Sequence, residues 1–88
     1  MSVRREGDAI RLEGDCRVED AEALVTLLEH DGEAPVDLTA CRLLHGAVLQ
    51  ALLWYRPRIA GDPTDPFLRT WILPILSAAA TEARGPRP

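Results

Sequence analysis

Cys41 and His45 are the residues whose types and spacing come nearest to chemistry. A thiol close to a helix start can have a lowered pKa and a nearby imidazole can take its proton, so the pair reads on paper as nucleophile and base. No Asn or Asp is placed to orient His45, which leaves the pair one member short of a working triad. Metal chemistry fares no better, because Cys16, Cys41, His30 and His45 show no paired ligand spacing and a zinc site needs about four converging ligands. Asp62 and Asp65 bracket a Pro-Thr pair, and turn and cap duties explain both without calcium. Gly14, Gly46 and Gly61 fall at element ends rather than in a phosphate-cradling loop. The expectation is a chain with no cofactor and no metal that is not an enzyme.

The other chemistry a surface can offer is contact. Ala47, Gln50, Ala51 and Trp54 stand three and four residues apart, so they are neighbours on one helix face. Small residues around one aromatic, with hardly any charge, suit a docking patch better than a solvated surface. Trp54 is the anchor candidate, with Arg42 and His45 flanking it. The competing reading is that a later helix folds over this face and covers it.

That patch is positioned by the stretch from Val36 to Tyr55. Val36, Asp37, Leu38 and Thr39 read as a strand, a joint follows at His45 and Gly46, and Val48, Leu49, Leu52 and Leu53 form the buried stripe of a helix. The helix N-terminus then lies at the edge of a sheet, where backbone N–H groups lack intrahelical partners and the dipole is positive.

Around this centre, Val3–Arg5 and Asp8–Glu13 form a hairpin across Glu6, Gly7 and Asp8. Val18, Ala21, Leu24, Val25 and Leu28 mark a first helix running to His30, with acids in its first turn and a stop at Asp31 and Gly32. Pro57 ends the second helix near Tyr55, and Arg58, Ile59 and Ala60 make a last strand. A third helix starts with Thr64 or Asp65 as cap and Pro66 at its first position, then kinks or breaks at Pro74. Phe67, Leu68, Trp71, Ile72, Ile75 and Leu76 are expected to pack against the sheet. Alternating strands and helices predict an α/β domain over residues 1–84, with about four strands in a mixed sheet and about three helices, and a disordered tail over residues 85–88.

The totals limit the partners. The chain has 88 residues and one core's worth of apolar side chains, with a net charge of −4 and ten arginines but no lysine. The arginines are scattered beside acids rather than gathered on a basic face, which argues against nucleic acid. No run is long and apolar enough for direct membrane insertion, and the first residues, MSVRREGDAIRL, lack the apolar core of a secretory signal. The expected setting is a reducing cytoplasm with both cysteines free.

Two stretches resemble the STAS family, the fold of anti-sigma factor antagonists and of the cytoplasmic tails of sulfate transporters. IRLEGDCRVEDAEALVTLL, residues 10–28, is similar to the family's opening strand, glycine, acid and first helix. VDLTACRLLHGAVLQALL, residues 36–53, resembles its D-L-S-G-V and D-S-S-G-L pattern before a leucine-rich helix, with Cys41 on an apolar core position. In such antagonists a serine in the joint is phosphorylated to release the partner. His45, Gly46, Ala47 and Val48 stand there in this chain, and none carries a hydroxyl. The resemblance thus implies a small STAS-like domain that binds a regulatory protein without phosphoswitch control. Arg42, His45, Gly46, Ala47, Gln50 and Trp54 would make the contact. The partner would be an anti-sigma or kinase-like protein, or else an ATPase subunit if the chain is a structural part of a transporter complex. Thr39 and Thr26 are the nearest remaining hydroxyls, with Thr39 read as a structural hydrogen-bonder. Self-association through the apolar third helix is also open.

Overall fold

Alternation decides which way the strands face. Val3, Ile10, Leu12 and Val36 are buried while Arg4, Glu6, Arg11 and Asp37 between them stay accessible, so one sheet face carries the core and the other meets water. A computed structural model describes residues 2–84. The expected tail, residues 85–88, lies outside the described residues.

The order is β1 (Val3–Glu6), β2 (Ala9–Leu12), β3 (Gly14–Cys16), α1 (Val18–His30), β4 (Val36–Asp37), β5 (Cys41–Leu44), α2 (Gly46–Tyr55), β6 (Ile59–Ala60) and α3 (Leu73–Arg84), with a π-helical stretch, Leu68–Ile72, leading into α3. This is an α/β domain with three helices and a four-stranded mixed sheet in the order β1-β2-β4-β6. β1 pairs antiparallel with β2 through a two-residue turn, in which Gly7 takes φ of 62°. β2 with β4, and β4 with β6, are parallel. The water-facing side carries a ladder of ion pairs: Arg4 to Glu6 at 2.9 Å and to Glu13 at 3.0 Å, and Arg11 to Glu6 at 3.0 Å. Such exposed pairs add little stability, but they keep an open sheet face polar.

β3 and β5 form a second, two-stranded parallel sheet that sequence reading does not provide. Neither strand alternates, and β3 is only three residues long, so periodicity is silent there. Gly14 N–H donates to Ala40 O at 2.8 Å and His45 N–H to Cys16 O at 2.8 Å, closing the pair at both ends.

α1 has the expected bounds, although Val18 is exposed rather than part of the buried stripe. As the first helical residue it stands clear of the sheet, in a surface cleft with Leu43. Asp20 closes the start: its carboxylate accepts from Arg17 N–H at 2.8 Å, while its own N–H donates to Arg17 O at 3.0 Å.

The third helix starts on Asp65, whose carboxylate accepts from Leu68 N–H at 3.1 Å. Pro74 leaves its mark upstream. Its ring would collide with the carbonyl one α-turn back and it has no N–H to give, and the chain widens into the π-helical stretch, with Leu73 N–H bonded to Leu68 O. Leu68 and Leu76 are buried, as expected, but Phe67, Trp71 and Ile75 are exposed. One helix can offer the sheet only one stripe. Leu68, Ile72, Leu76 and Ala80 occupy it, and the residue before each of the first three is turned roughly 100° away.

No helix among the described residues is long and apolar enough to cross a membrane.

Candidate functional site

The Trp54 face is not covered by the third helix. Its neighbour is α1, and between the two helices lies an open groove of about 890 Å³. Ala47, Gln50, Ala51 and Trp54 line it from α2, and Ala21, Glu22, Val25, Thr26 and Glu29 from α1. Leu24 and Leu28, with Val48 and Leu52, turn inward from the same helices to the core. Ala21, Ala47 and Ala51 reach too little way out to fill the space between the helices, and this gives the groove its depth. Ala51 is correspondingly buried, a floor residue rather than the surface residue its spacing suggests.

Trp54 stands 81% exposed at the edge of this trough. An indole left so open on an apolar lining has surplus surface to offer a partner. Tyr55 ties the helices together by donating its hydroxyl to Glu29 Oε2 at 2.8 Å. The carboxylate acceptor favours the neutral phenol and so raises the Tyr55 pKa above its usual 10.0. Glu22 and Glu29 give the groove acidic character, and among the described residues no basic side chain lines it.

The structure divides the six residues proposed for partner contact. Ala47, Gln50 and Trp54 share the groove. His45 lies in the separate cleft with Cys16, Arg17 and Leu43. Arg42 lines a recess against the third helix beside Phe67 and Leu68, 3.5 Å from Asp15. Gly46 is exposed, and open space surrounds the position a Cβ would take. The joint from Arg42 to Gly46 and the outer face of α2 are thus different surfaces.

Local chemistry explains the joint. His45 is the N-cap of α2, its Nδ1 accepting from Ala47 N–H at 3.0 Å, so that nitrogen is committed to holding the helix start. Cys41 is fully buried, and its thiol donates to Leu43 O at 3.7 Å. Cys16 is equally buried beside it. A hydrogen bond with Cys41, then burial, pushes the Cys16 thiol well above the ordinary range; the same hydrogen bond lowers Cys41 while burial raises it. Neither sulfur is placed to meet a substrate. Among the described residues, no three His, Cys, Asp or Glu side chains are grouped to hold a metal ion.

The two hydroxyls named as nearest to the joint are both engaged. Thr39 donates its hydroxyl to Asp37 Oδ1 at 2.7 Å and its N–H to the same oxygen at 2.9 Å. Thr26 bonds back to Glu22 O at 3.0 Å.

Sequence reasoning missed the α1 wall of the site. Its signal was there: Ala21, Val25 and Glu29, each four residues from the next, run along the flank of the buried stripe. That Ala21 and Val25 are half-buried and Glu29 exposed beside them is readable only with α2 lying alongside. Compared with protein-family models, curated proteins and solved structures, the chain matches none.

Proposed function

We propose that this chain is a STAS-like protein-docking module of bacterial regulation, working in the cytoplasm, whose α1/α2 groove takes an apolar segment of a regulatory partner. The reading rests on one observation, an 81% exposed Trp54 beside an apolar trough of about 890 Å³. Burying that indole against a partner offers a hot spot of the kind that dominates interface energies.

Control by phosphorylation at the joint before α2 has no foothold in this reading. The positions from His45 to Val48 lack a hydroxyl, and the Thr39 hydroxyl is held by Asp37. Binding is then constitutive and set by how much partner is present.

The test is affinity capture with the wild-type chain from a bacterial cytoplasm that contains its partner, followed by binding measurements on the captured protein. Trp54→Ala is expected to weaken that binding by at least about 30-fold while leaving the circular dichroism and melting of the domain unchanged. Unchanged affinity would remove the groove from the interface. A phosphate on Thr39 after incubation with kinase and ATP would overturn constitutive binding.

A further inference from the structure

Phe67, Trp71 and Ile75 form a second apolar surface, on the third helix. They are 61%, 64% and 52% exposed, and Thr70, Pro74 and Ala78 complete the face without a charged side chain between Phe67 and Ala78 on it. A four-residue spacing normally drifts around an α-helix, because four residues overshoot a turn of 3.6. Here the first interval runs through the π-helical stretch, whose wider turn holds more residues, so four residues fall short of it. The two drifts oppose each other. Phe67 and Ile75 therefore lie nearly in line along the helix, with Trp71 between them and set slightly to one side.

That row fits itself. Trp71 is its midpoint, with one large apolar residue four positions to either side. Two copies laid antiparallel about a twofold axis through Trp71 set Phe67 of each against Ile75 of the other, and Trp71 against Trp71. The three side chains offer roughly 350 Å² of exposed surface per copy, so two faces bury roughly 700 Å² before Thr70, Pro74 and Ala78 are counted. With those added, the total comes near the roughly 1,000 Å² that a specific interface needs. The charges that border the row at its Phe67 end are Arg42, paired with Asp15 at 3.5 Å, and Asp65, and Arg69 on the helix itself is held by Asp62 at 2.9 Å, so none of the arginines brings an unpaired like charge as the copies approach.

We propose that this face is the self-association surface of the protein, forming a weak twofold dimer of antiparallel third helices. The Trp54 groove lies between α1 and α2 and shares no residue with it, so one dimer presents two docking grooves. Sedimentation of the full chain from about 5 μM to about 500 μM is expected to show a monomer–dimer equilibrium with a dissociation constant of about 10–100 μM. Trp71→Glu, which changes an exposed side chain, should keep the monomer's circular dichroism and weaken dimerisation by at least about tenfold. Ile75→Lys should do the same, and it stands in should the first variant fail to fold. Trp54→Glu should dimerise like the wild type. A chain that stays monomeric over the whole range would overturn the proposal and leave this face to another occupant. A dimer that survives both Trp71→Glu and Ile75→Lys, or that Trp54→Glu abolishes, would overturn it equally.

Discussion

The Tyr55 hydroxyl donates to Glu29 Oε2 at 2.8 Å, a bond across 26 residues of sequence that joins the last turns of α1 and α2 and sets the spacing of the groove between them. Because Glu29 accepts only from the protonated phenol, the Tyr55 pKa in the fold lies above its ordinary 10.0. The raised value means that this contribution to stability is whole below about pH 10 and disappears as pH climbs through the folded-state pKa. The chain has a single tyrosine, so ultraviolet difference titration reads it without overlap. Glu29→Gln is expected to bring the titration back toward the ordinary tyrosine value. A wild-type midpoint at that value would mean the bond does not persist in solution.

A second titration belongs to the turn after β4. Asp37 Oδ1 accepts both the N–H and the hydroxyl of Thr39, and these bonds hold its pKa below the usual 3.8. With a depressed pKa the folded state binds fewer protons than the unfolded chain. The stabilisation is therefore complete above about pH 4 to 5 and is lost as pH falls through the folded value. Denaturant midpoints followed from about pH 6 to about pH 2.5 should decline in the wild type and decline less in Asp37→Asn. Equal slopes for the two proteins would refute the assignment.

Gly61 packs onto the same turn. Its φ is +78°, and a Cβ there would run into Thr39 Oγ1 and Asp37 Oδ1 and come within 3.0 Å of Thr39 N. Gly61→Ala therefore meets backbone strain and a steric clash together, and is expected to cost about 2–4 kcal/mol in chemical denaturation. Gly46→Ala, with nothing within 4 Å of its added Cβ and no positive φ, serves as the tolerated control.

How far the fold could be read depended on the length of each periodic run. α1 is legible because thirteen residues give its apolar stripe more than three turns to repeat. α2 is legible because Val48 and Leu52 repeat after a joint and before Pro57. β3 and β5 were beyond reach: their three and four residues are held by parallel pairing across some 27 positions of sequence, which no local pattern encodes. The third helix misled for a different reason. Apolar residues on adjacent positions, such as Phe67 with Leu68 and Trp71 with Ile72, cannot all face one sheet, and composition does not say which set wins. At the site, Trp54 could be picked out from its neighbours on α2, but the α1 wall could not, since it exists only where two helices separated by two strands come to lie side by side.

His45 tests whether the joint is structural. Its Nδ1 accepts from Ala47 N–H at 3.0 Å, satisfying one of the donors that a helix start leaves without an intrahelical partner. His45→Ala should cost about 1 kcal/mol, and His45→Asn, which restores a side-chain acceptor, should recover most of it. Neither change should weaken partner binding in the α1/α2 groove, because His45 does not line it. A loss of affinity in both variants at preserved stability would return the joint to the interface.

Cys16 and Cys41 report on how the second sheet opens. Both are 0% exposed and lie side by side where β3 pairs with β5, each thiol donating to nearby backbone carbonyls. A reagent in water reaches such sulfurs only when the strands separate. Labelling at neutral pH should then follow the equilibrium between closed and open forms, and a domain of about 5 kcal/mol stability would label thousands of times more slowly than a free thiol. Adding denaturant below the unfolding midpoint should accelerate both cysteines together, because β3 and β5 can expose them only by coming apart. Rapid alkylation of Cys41 alone in the native protein would mean that β5 opens independently of β3. The thiol beside the α2 joint would then be available for chemistry that the closed fold denies it.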